Sequence, residues 1–222
     1  MCGRYESMID DDEIAYVLER EEKGRAEKYL NKKEVFPGTE MPVLYGAYSG
    51  VRSRLSRWGY KMRTPASASI ASPGTAPAKA QKSAAATRDI INARAETALA
   101  KPLFRGSTRI VVPSSGYFEW NNHTKYHIGG SVLLMAGLSR EEDPRAIPSP
   151  PDAPAAEPVT GRDAQSSYVI LTTASLGSLA WLHPRMPVFL THDELEPWLY
   201  DDEFAKWRLA ATRAPELPVV PC

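Results

Sequence analysis

The chain has little cysteine and no long apolar run. Its 222 residues include two cysteines, Cys2 and Cys222, which are too few for a disulfide scaffold and favour a reducing compartment. The longest run without a polar side chain, residues 132–138, is far shorter than the ~18 residues of a membrane-spanning helix. The amino terminus has no apolar signal core. We therefore expect a cytoplasmic protein with no membrane partner.

Acidic residues are scarce in the middle of the chain. The whole sequence has 27 basic and 27 acidic residues, so its net charge is zero. Between Gly50 and Phe118, however, 12 Lys or Arg face two acids, Asp89 and Glu96. That window carries a charge of 12 − 2 = +10 and predicts a surface that attracts phosphates. The alternative is a solvated face that neighbouring acids neutralise in the fold.

Length and composition favour one domain. Hydrophobic residues make up 43% and charged residues 24% of the chain, which is typical of a globular protein with its own core. Residues 64–87 are almost all Ala, Ser, Pro, Thr, Gly and Lys, and residues 144–167 contain six prolines. Because neither stretch offers much to bury, both are predicted to be flexible insertions in a single domain of residues 1–222.

Elsewhere the pattern is rich in short strands. Gly129-Gly130 is typical of a hairpin turn between two of them, and Thr191 to Glu194 fits a capping box that opens a helix through Tyr200. The sequence therefore predicts an α+β domain with a curved or barrel-like, mostly antiparallel sheet flanked by a few helices. The other predicted strands are residues 41–45, 55–60, 90–92, 109–113, 116–120, 125–128, 131–138, 168–172 and 187–190, and the other predicted helices are residues 10–30, 93–99 and 201–211.

Cys2 is the residue with the most distinctive chemistry. Removal of the initiator methionine is usual before a small residue, and it would leave a chain that begins with a free amine and a thiol on one residue. Their reference pKa values, roughly 7.7–8.0 and about 8.5, leave part of each nucleophilic at neutral pH. Such an aminothiol can attack an acyl group or condense with an aldehyde to a thiazolidine. Cys2 could also be an incidental early residue.

Three further segments carry candidate functional groups. Asn92 and Arg94 lie at a strand-to-helix junction, where they could hold a carbonyl or sugar oxygen and a phosphate, or simply cap the helix and face solvent. Glu119 lies in an aromatic strand, in a partly apolar setting that suits a general acid or base, or it pairs with an arginine. His183 and Arg185 occupy a loop that Pro184 and Pro187 make stiff, where the histidine is either functional or structural.

Metal and nucleotide sites are not expected. His123 and His127 are four residues apart but have no Glu or Cys ligand beside them. The sequence also has no glycine-rich phosphate loop or dinucleotide fingerprint. We therefore predict that the protein needs no cofactor.

Six short motifs occur in one characteristic order. They are Met1–Tyr5 (MCGRY), Trp58-Gly59, Ile91–Thr97 (INARAET), Val112–Trp120 (VPSSGYFEW), Ile170–Ala174 (ILTTA) and His183–Val188 (HPRMPV). With these motifs the sequence resembles the SOS-response-associated peptidase (SRAP) family from residue 1 to about residue 200. The resemblance implies covalent capture of abasic sites in single-stranded DNA, through a thiazolidine formed by the Cys2 amine and thiol. It also implies autocatalytic removal of Met1, a nucleoid-associated location if the source is bacterial, and a monomer.

The resemblance also implies roles for individual residues. Cys2 matches the nucleophile, Asn92 the residue that holds the crosslinked sugar and the Cys2 backbone, Glu119 the acid/base, and His183 the histidine that helps to open the sugar ring. The matches to DNA contacts are Arg4, Arg94 and Arg185, which bind phosphates, and Trp58, an aromatic residue near the bound strand.

The chain departs from the family pattern in two places. The family usually has Asp where this chain has Pro184, which bears on the orientation of His183, and the segment of residues 63–88 is longer than the usual connection. Two other functions stay open at this point: a peptidase that uses Cys2 on other proteins, and a non-covalent reader of modified or single-stranded DNA. A variant without Cys2 distinguishes the reader from the other functions. The reader would still bind DNA, whereas a crosslinking protein or a peptidase would lose its reaction.

Overall fold

Strands dominate the computed structural model, which describes residues 3–22, 27–63, 87–141, 166–213 and 216–222. The described strands are β1 (Arg4–Met8), β2 (Asn31–Val35), β3 (Glu40–Ala47), β4 (Gly50–Trp58), β5 (Tyr60–Arg63), β6 (Thr87–Ile90), β7 (Asn92–Arg94), β8 (Thr108–Asn121), β9 (Thr124–Glu141), β10 (Ser166–Ala174), β11 (Arg185–Pro187), β12 (Phe189–Leu190) and β13 (Val219–Pro221). The described helices are α1 (Asp12–Glu22), α2 (Glu27–Leu30), α3 (Ala95–Ala98), α4 (Leu195–Tyr200) and α5 (Asp202–Ala210), with 3₁₀ turns at Pro102–Phe104, Gly177–Leu179 and His192–Glu194.

The main sheet curves into a ring. Its pairings run from β9 to β10, β4, β3 and β8 and return to β9, and β1 and β2 extend the sheet from the β8 side. The β4–β10 link consists of two parallel residue pairs, so the ring is barrel-like rather than a fully bonded barrel. Most other pairings are antiparallel. The predicted α+β class, with a curved and mostly antiparallel sheet in one domain, is confirmed.

The predicted hairpin turn at Gly129-Gly130 is wrong. β9 passes through both glycines as one strand of 18 residues, and the chain reverses instead at Asn122 and His123, which have φ values of 46° and 67°. The glycines serve close approach: a Cβ on Gly129 would lie 2.7 Å from the Cα of Gly116 on β8. A side chain here would force β8 and β9 apart, so glycine marks a contact between strands rather than a turn.

Two apolar clusters cover the two faces of the ring strands. One cluster joins alternate residues of β3, β8, β9 and β10 to Tyr5, Trp58 and Tyr168. The other joins the opposite residues of the same strands to α1, α4 and α5, with Leu18 and Trp198 fully buried. Because both faces are covered, the central segments of β3, β8, β9 and β10 are continuous apolar runs rather than alternating with polar residues.

The predicted helix ends shift by a few residues. The helix expected over residues 10–30 is described as α1 and α2, with residues 23–26 outside the described part. At the predicted capping box, the Thr191 backbone N–H donates to Glu194 at 3.1 Å, and a 3₁₀ turn precedes α4. The insertions predicted at residues 64–87 and 144–167 lie outside the described residues, except that Thr87 opens β6 and Ser166 and Ser167 open β10.

None of the helices in the described ranges combines the length and the hydropathy that a membrane crossing requires.

Candidate active site

Glu119 lies near the carboxyl end of β8. Its side chain is on the face of the sheet that carries the cluster with Tyr5, Trp58 and Tyr168, which we call the inner face. Glu119 is 5% exposed, and Tyr117 on the same face is also buried. Phe118 and Trp120 point to the opposite, outer face, as the alternation of a strand requires. The strand therefore presents a carboxylate from a buried, largely aromatic setting.

His183 approaches Glu119 from the loop before β11. Its Nδ1 lies 4.0 Å from Glu119 Oε2, close enough for one carboxylate and one imidazole to act on the same small group. The same Nδ1 lies 3.0 Å from the backbone nitrogen and 3.0 Å from the backbone oxygen of Arg185. Pro184 is exposed, and its carbonyl accepts a 3.1 Å hydrogen bond from the Ser175 backbone. The proline thus fits the loop without displacing His183 from Glu119.

β1 brings the start of the described chain to the same place. Tyr5 is opposite Tyr117 in the antiparallel β1–β8 pair. Extending that register by two residues puts Gly3 level with Glu119. Cys2 and the residue before it lie outside the described residues, but Cys2 is covalently joined to Gly3, and consecutive Cα atoms are about 3.8 Å apart.

Asn92 opens β7, which runs parallel to β10 with Asn92 opposite Ile170. Its side-chain oxygen is buried. The neighbouring Ile91 carbonyl accepts a 2.9 Å hydrogen bond from the Trp58 indole. Asn92 is therefore fixed to the core on one side and to β10 on the other.

Trp58 lies in the core next to the strands that carry the site. It is fully buried, its ring stacks on Tyr168 at 6.4 Å, and it meets the edge of Tyr5 at 5.2 Å. The hydroxyls of Tyr5 and Tyr168 are 2.8 Å apart. These contacts tie β1, β4, β7 and β10 together. A base cannot stack on a fully buried ring, so the contact of Trp58 with a bound DNA strand stays a prediction that would require the ring to become exposed.

Arg4 belongs to the outer face of the sheet. It donates to Glu34 at 3.1 Å and lies 4.6 Å from the Phe36 ring centre and 5.0 Å from that of Trp120. Lys125 also bonds Glu34. This ammonium group and the Arg4 guanidinium lower the pKa of Glu34. The predicted phosphate contact of Arg4 would have to compete with this carboxylate.

Arg185 is held within the protein rather than extended to solvent. Its Nη1 and Nη2 donate to the two carboxylate oxygens of Glu96 at 2.6 and 2.9 Å, and Nη2 also donates to the Thr172 carbonyl. The hydrogen bond from Arg185 lowers the pKa of Glu96. Arg94, in contrast, is exposed beside the site. Of the three arginines, Arg94 is therefore the most accessible to a phosphate.

The basic window is neutralised in part. Three of its arginines form ion pairs with acids from outside the window: Arg52 with Glu21, Arg54 with Glu141, and Arg109 with Asp202. Among the basic residues of the window whose side chains the structure describes, Lys61, Arg88, Arg94, Lys101 and Arg105 are exposed. Lys79 and Lys82 lie outside those ranges. The predicted positive surface is thus smaller than the charge of +10 implied.

Sequence reasoning gave Glu96 no role, although it lies two residues after Arg94 in a quoted motif. Its partner Arg185 is 89 residues away, so no local signal identified the pair. In the described residues, no group of three or more His, Cys, Asp or Glu side chains is arranged to hold a metal ion.

Comparison with known proteins extends the resemblance to nearly the whole chain. A family model described as SOS response associated peptidase (SRAP) matches residues 1–216. Two curated relatives are named abasic site processing proteins: HMCES from Xenopus tropicalis, 28% identical, and YoaM from Bacillus subtilis, 29% identical, each over 123 residues. These alignments cover 49% and 50% of this chain and 37% and 47% of the relatives, so the chain matches less than half of each relative's length.

Solved structures share the fold. A protein from Bacteroides thetaiotaomicron matches with a TM-score of 0.64 at 19% identity, over 99% of this chain and 91% of that one. A phage-related protein from Bordetella bronchiseptica matches with a TM-score of 0.61 at 22% identity, over 100% and 94%. With the family model covering all but six residues of the sequence, the chain belongs to the SOS response-associated peptidase family.

Proposed function

We propose that the protein captures abasic sites in single-stranded DNA as a covalent adduct of Cys2, after Met1 has been removed. The observation that carries the proposal is the pair of buried Glu119 and half-buried His183, 4.0 Å apart, beside the amino end of β1, where Gly3 leads back to Cys2. The names of the two relatives support the same class of substrate.

The pair suits the first chemical step. An abasic deoxyribose is mostly a closed hemiacetal, and opening it breaks the C1′–O4′ bond while O1′ loses a proton and O4′ gains one. Glu119 and His183 supply the acceptor and the donor for these two proton transfers. The product is an aldehyde at C1′.

Cys2 then reacts with that aldehyde. Its amine adds to C1′, and loss of one water gives an imine. The thiolate adds to the same carbon, its electron pair forming the C–S bond while the imine nitrogen takes a proton, which closes the thiazolidine ring. A tethered aminothiol meets the aldehyde at high effective concentration, and no metal or cofactor takes part.

The remaining groups bind and orient the DNA. Asn92 is the proposed contact to the crosslinked sugar, and Arg94 is the proposed contact to a neighbouring phosphate. Trp58 is not proposed as a DNA contact, because it is fully buried. The monomeric state stays a prediction, which sedimentation of the purified protein tests.

The test is a covalent adduct that survives denaturation. Purified protein is incubated with a single-stranded abasic oligonucleotide, and intact mass spectrometry should show protein without Met1 plus oligonucleotide minus one water. Cys2→Ala should give no adduct, and an undamaged oligonucleotide is the substrate control. An adduct on protein that retains Met1, or an undiminished adduct with Cys2→Ala, contradicts the mechanism. DNA binding without any adduct would identify a non-covalent reader instead.

A further inference from the structure

The backbone of Arg185 holds the His183 ring in an unusual way. Its N–H and its C=O both lie 3.0 Å from the same ring nitrogen, Nδ1. In a β-strand, the N–H and C=O of one residue point to the same side, so the first residue of β11 presents a donor and an acceptor together. The His183 side chain occupies this edge of β11.

This arrangement accommodates every protonation state of the imidazole. When Nδ1 has no proton, it accepts from the Arg185 N–H; when it carries one, it donates to the Arg185 C=O. His183 can therefore gain or lose a proton without turning its ring or losing a hydrogen bond. A group that must act as both acid and base in one reaction cycle needs this property.

The side chain of Arg185 fixes that backbone in place. Glu96 on α3 binds its guanidinium with two hydrogen bonds, and the Thr172 carbonyl on β10 takes a third. A bidentate arginine–carboxylate pair restrains direction as well as distance. β11 has three residues and pairs with β10, and the Glu96 pair connects it to α3.

We propose that Glu96 is a positioning residue for His183, acting through Arg185. The inference rests on the proposed function, since His183 is taken as the group that opens the sugar. With glutamine in place of Glu96, the Arg185 side chain loses the negative charge and at least one of the two hydrogen bonds, and the peptide that holds Nδ1 loosens. A small displacement of a catalytic group costs up to about 100-fold in rate.

The experiment separates positioning from general stability. Single-turnover adduct rates are measured for the parent, Glu96→Gln, His183→Ala and the double variant, on an abasic oligonucleotide and on one with an open-chain aldehyde. We expect Glu96→Gln to slow capture of the closed sugar about 10–100-fold, to leave the open-chain aldehyde near the parent rate, and to cause no further loss in the His183→Ala background.

Glu21→Gln is the matched control. Glu21 on α1 also accepts two hydrogen bonds from one arginine, Arg52 on β4. The Glu21→Gln variant should keep the adduct rates on both aldehydes at the parent value. A Glu96→Gln variant that slows both aldehydes equally, or that slows His183→Ala as much as the parent, overturns the proposal. The proposal is also overturned if Glu96→Gln binds DNA more tightly, with a steeper salt dependence and an unchanged adduct rate. Arg185 would then be a phosphate contact that Glu96 blocks.

A second readout does not depend on the reaction. The ¹⁵N chemical shifts of the His183 ring report whether Nδ1 is hydrogen-bonded, and we expect them to change with Glu96→Gln and not with Glu21→Gln. If the parent forms no adduct, the proposed function fails, while unchanged shifts in Glu96→Gln refute the positioning role by itself.

Discussion

Two glutamate–histidine pairs lie on opposite faces of the sheet where β1, β8 and β9 are neighbours. On the outer face, Glu6 and His127 are in direct contact at 3.0 Å, with side chains 21% and 28% exposed. On the inner face, Glu119 and His183 are 4.0 Å apart, and the Glu119 side chain is 7% exposed. The closer pair is therefore the one with more access to water.

The outer pair also borders an open cleft. Glu6 and His127 line an open cleft of about 680 Å³, and Glu6 accepts a further 2.9 Å hydrogen bond from Ser115. The short distance and the adjoining cleft would by themselves suggest this pair as the reactive one. What favours the inner pair is the lower exposure of its carboxylate, the contact of the Arg185 backbone with His183, and the register of β1, which puts Gly3 level with Glu119. Proximity of an acid and a base therefore does not define a site without the reacting group.

The largest effect should come from Glu119. Glu119→Gln keeps the shape of the side chain but removes proton transfer, so adduct formation should slow by roughly 10²–10⁴-fold. Glu6→Gln makes the same change on the outer face and should leave the rate unaltered. Single-turnover rates with an abasic oligonucleotide measure both, and binding of an unreactive abasic analogue checks that affinity is retained. Equal rates in parent and Glu119→Gln would give Glu119 a structural role.

His183 should show a smaller and more selective effect. Since its proposed task is ring opening, His183→Ala should slow capture of the closed sugar by about 10²-fold, and capture of an open-chain aldehyde much less. His127→Ala is the matched variant on the outer face. Comparing both aldehydes with both variants tests the assignment, and a His127→Ala variant with the same selectivity would move the chemistry to the outer pair.

The fold was predictable where the pattern is local. Alternation along β8 puts Tyr117 and Glu119 on one face and Phe118 and Trp120 on the other, because side-chain direction in a strand depends on sequence position alone. Gly129-Gly130 misled the prediction, since the same dipeptide suits a turn and a close approach to Gly116, and only the register of β8 and β9 distinguishes the two.

The site was less predictable, because it depends on long-range contacts. Trp58 and Arg185 lie in motifs that suggested DNA contacts, yet the first is enclosed by Tyr5 and Tyr168 and the second is bound by Glu96. A sequence identifies which residue types are present, but their burial follows from partners in distant segments. The closeness of His183 to Glu119, 64 positions apart, came from the family resemblance and not from any local pattern.

A smaller effect should show how DNA reaches the inner pair. Arg94→Ala should weaken binding of single-stranded DNA and reduce the slope of log K against log salt by about 0.7, the contribution of one phosphate contact. Arg52→Ala removes an arginine that is already paired with Glu21 and should change the slope less. Titrations at several salt concentrations measure both slopes. An unchanged slope in Arg94→Ala would exclude a phosphate contact there.

The smallest effect concerns the charges of the outer face, which we expect to act on stability rather than on chemistry. The hydrogen bond from Lys125 is the main cause of the lowered pKa of Glu34, and the positive charge of Arg4 lowers this pKa further. A carboxyl whose pKa is depressed in the folded state stabilises the protein above its unfolded-state pKa, about 4.3, and this contribution is lost as the pH falls through the lower folded-state value. Glu34→Gln should therefore reduce the free energy of unfolding at pH 7 by no more than about 1 kcal/mol. The difference from the parent should shrink below about pH 4.5.

Urea unfolding at pH 7, 5, 4 and 3 measures this difference for Glu34→Gln. The control is Glu40→Gln, because Glu40 is exposed and has no ion pair among the described residues. If the difference in unfolding free energy between the parent and Glu34→Gln instead grew as the pH is lowered, the charged carboxylate would be destabilising. Adduct rates at pH 7 should be the same in all three proteins, since Glu34 and the inner pair lie on opposite sides of the sheet. A slower Glu34→Gln variant would mean that its partner Arg4 couples the outer face to the reaction, and the two faces would then not be independent.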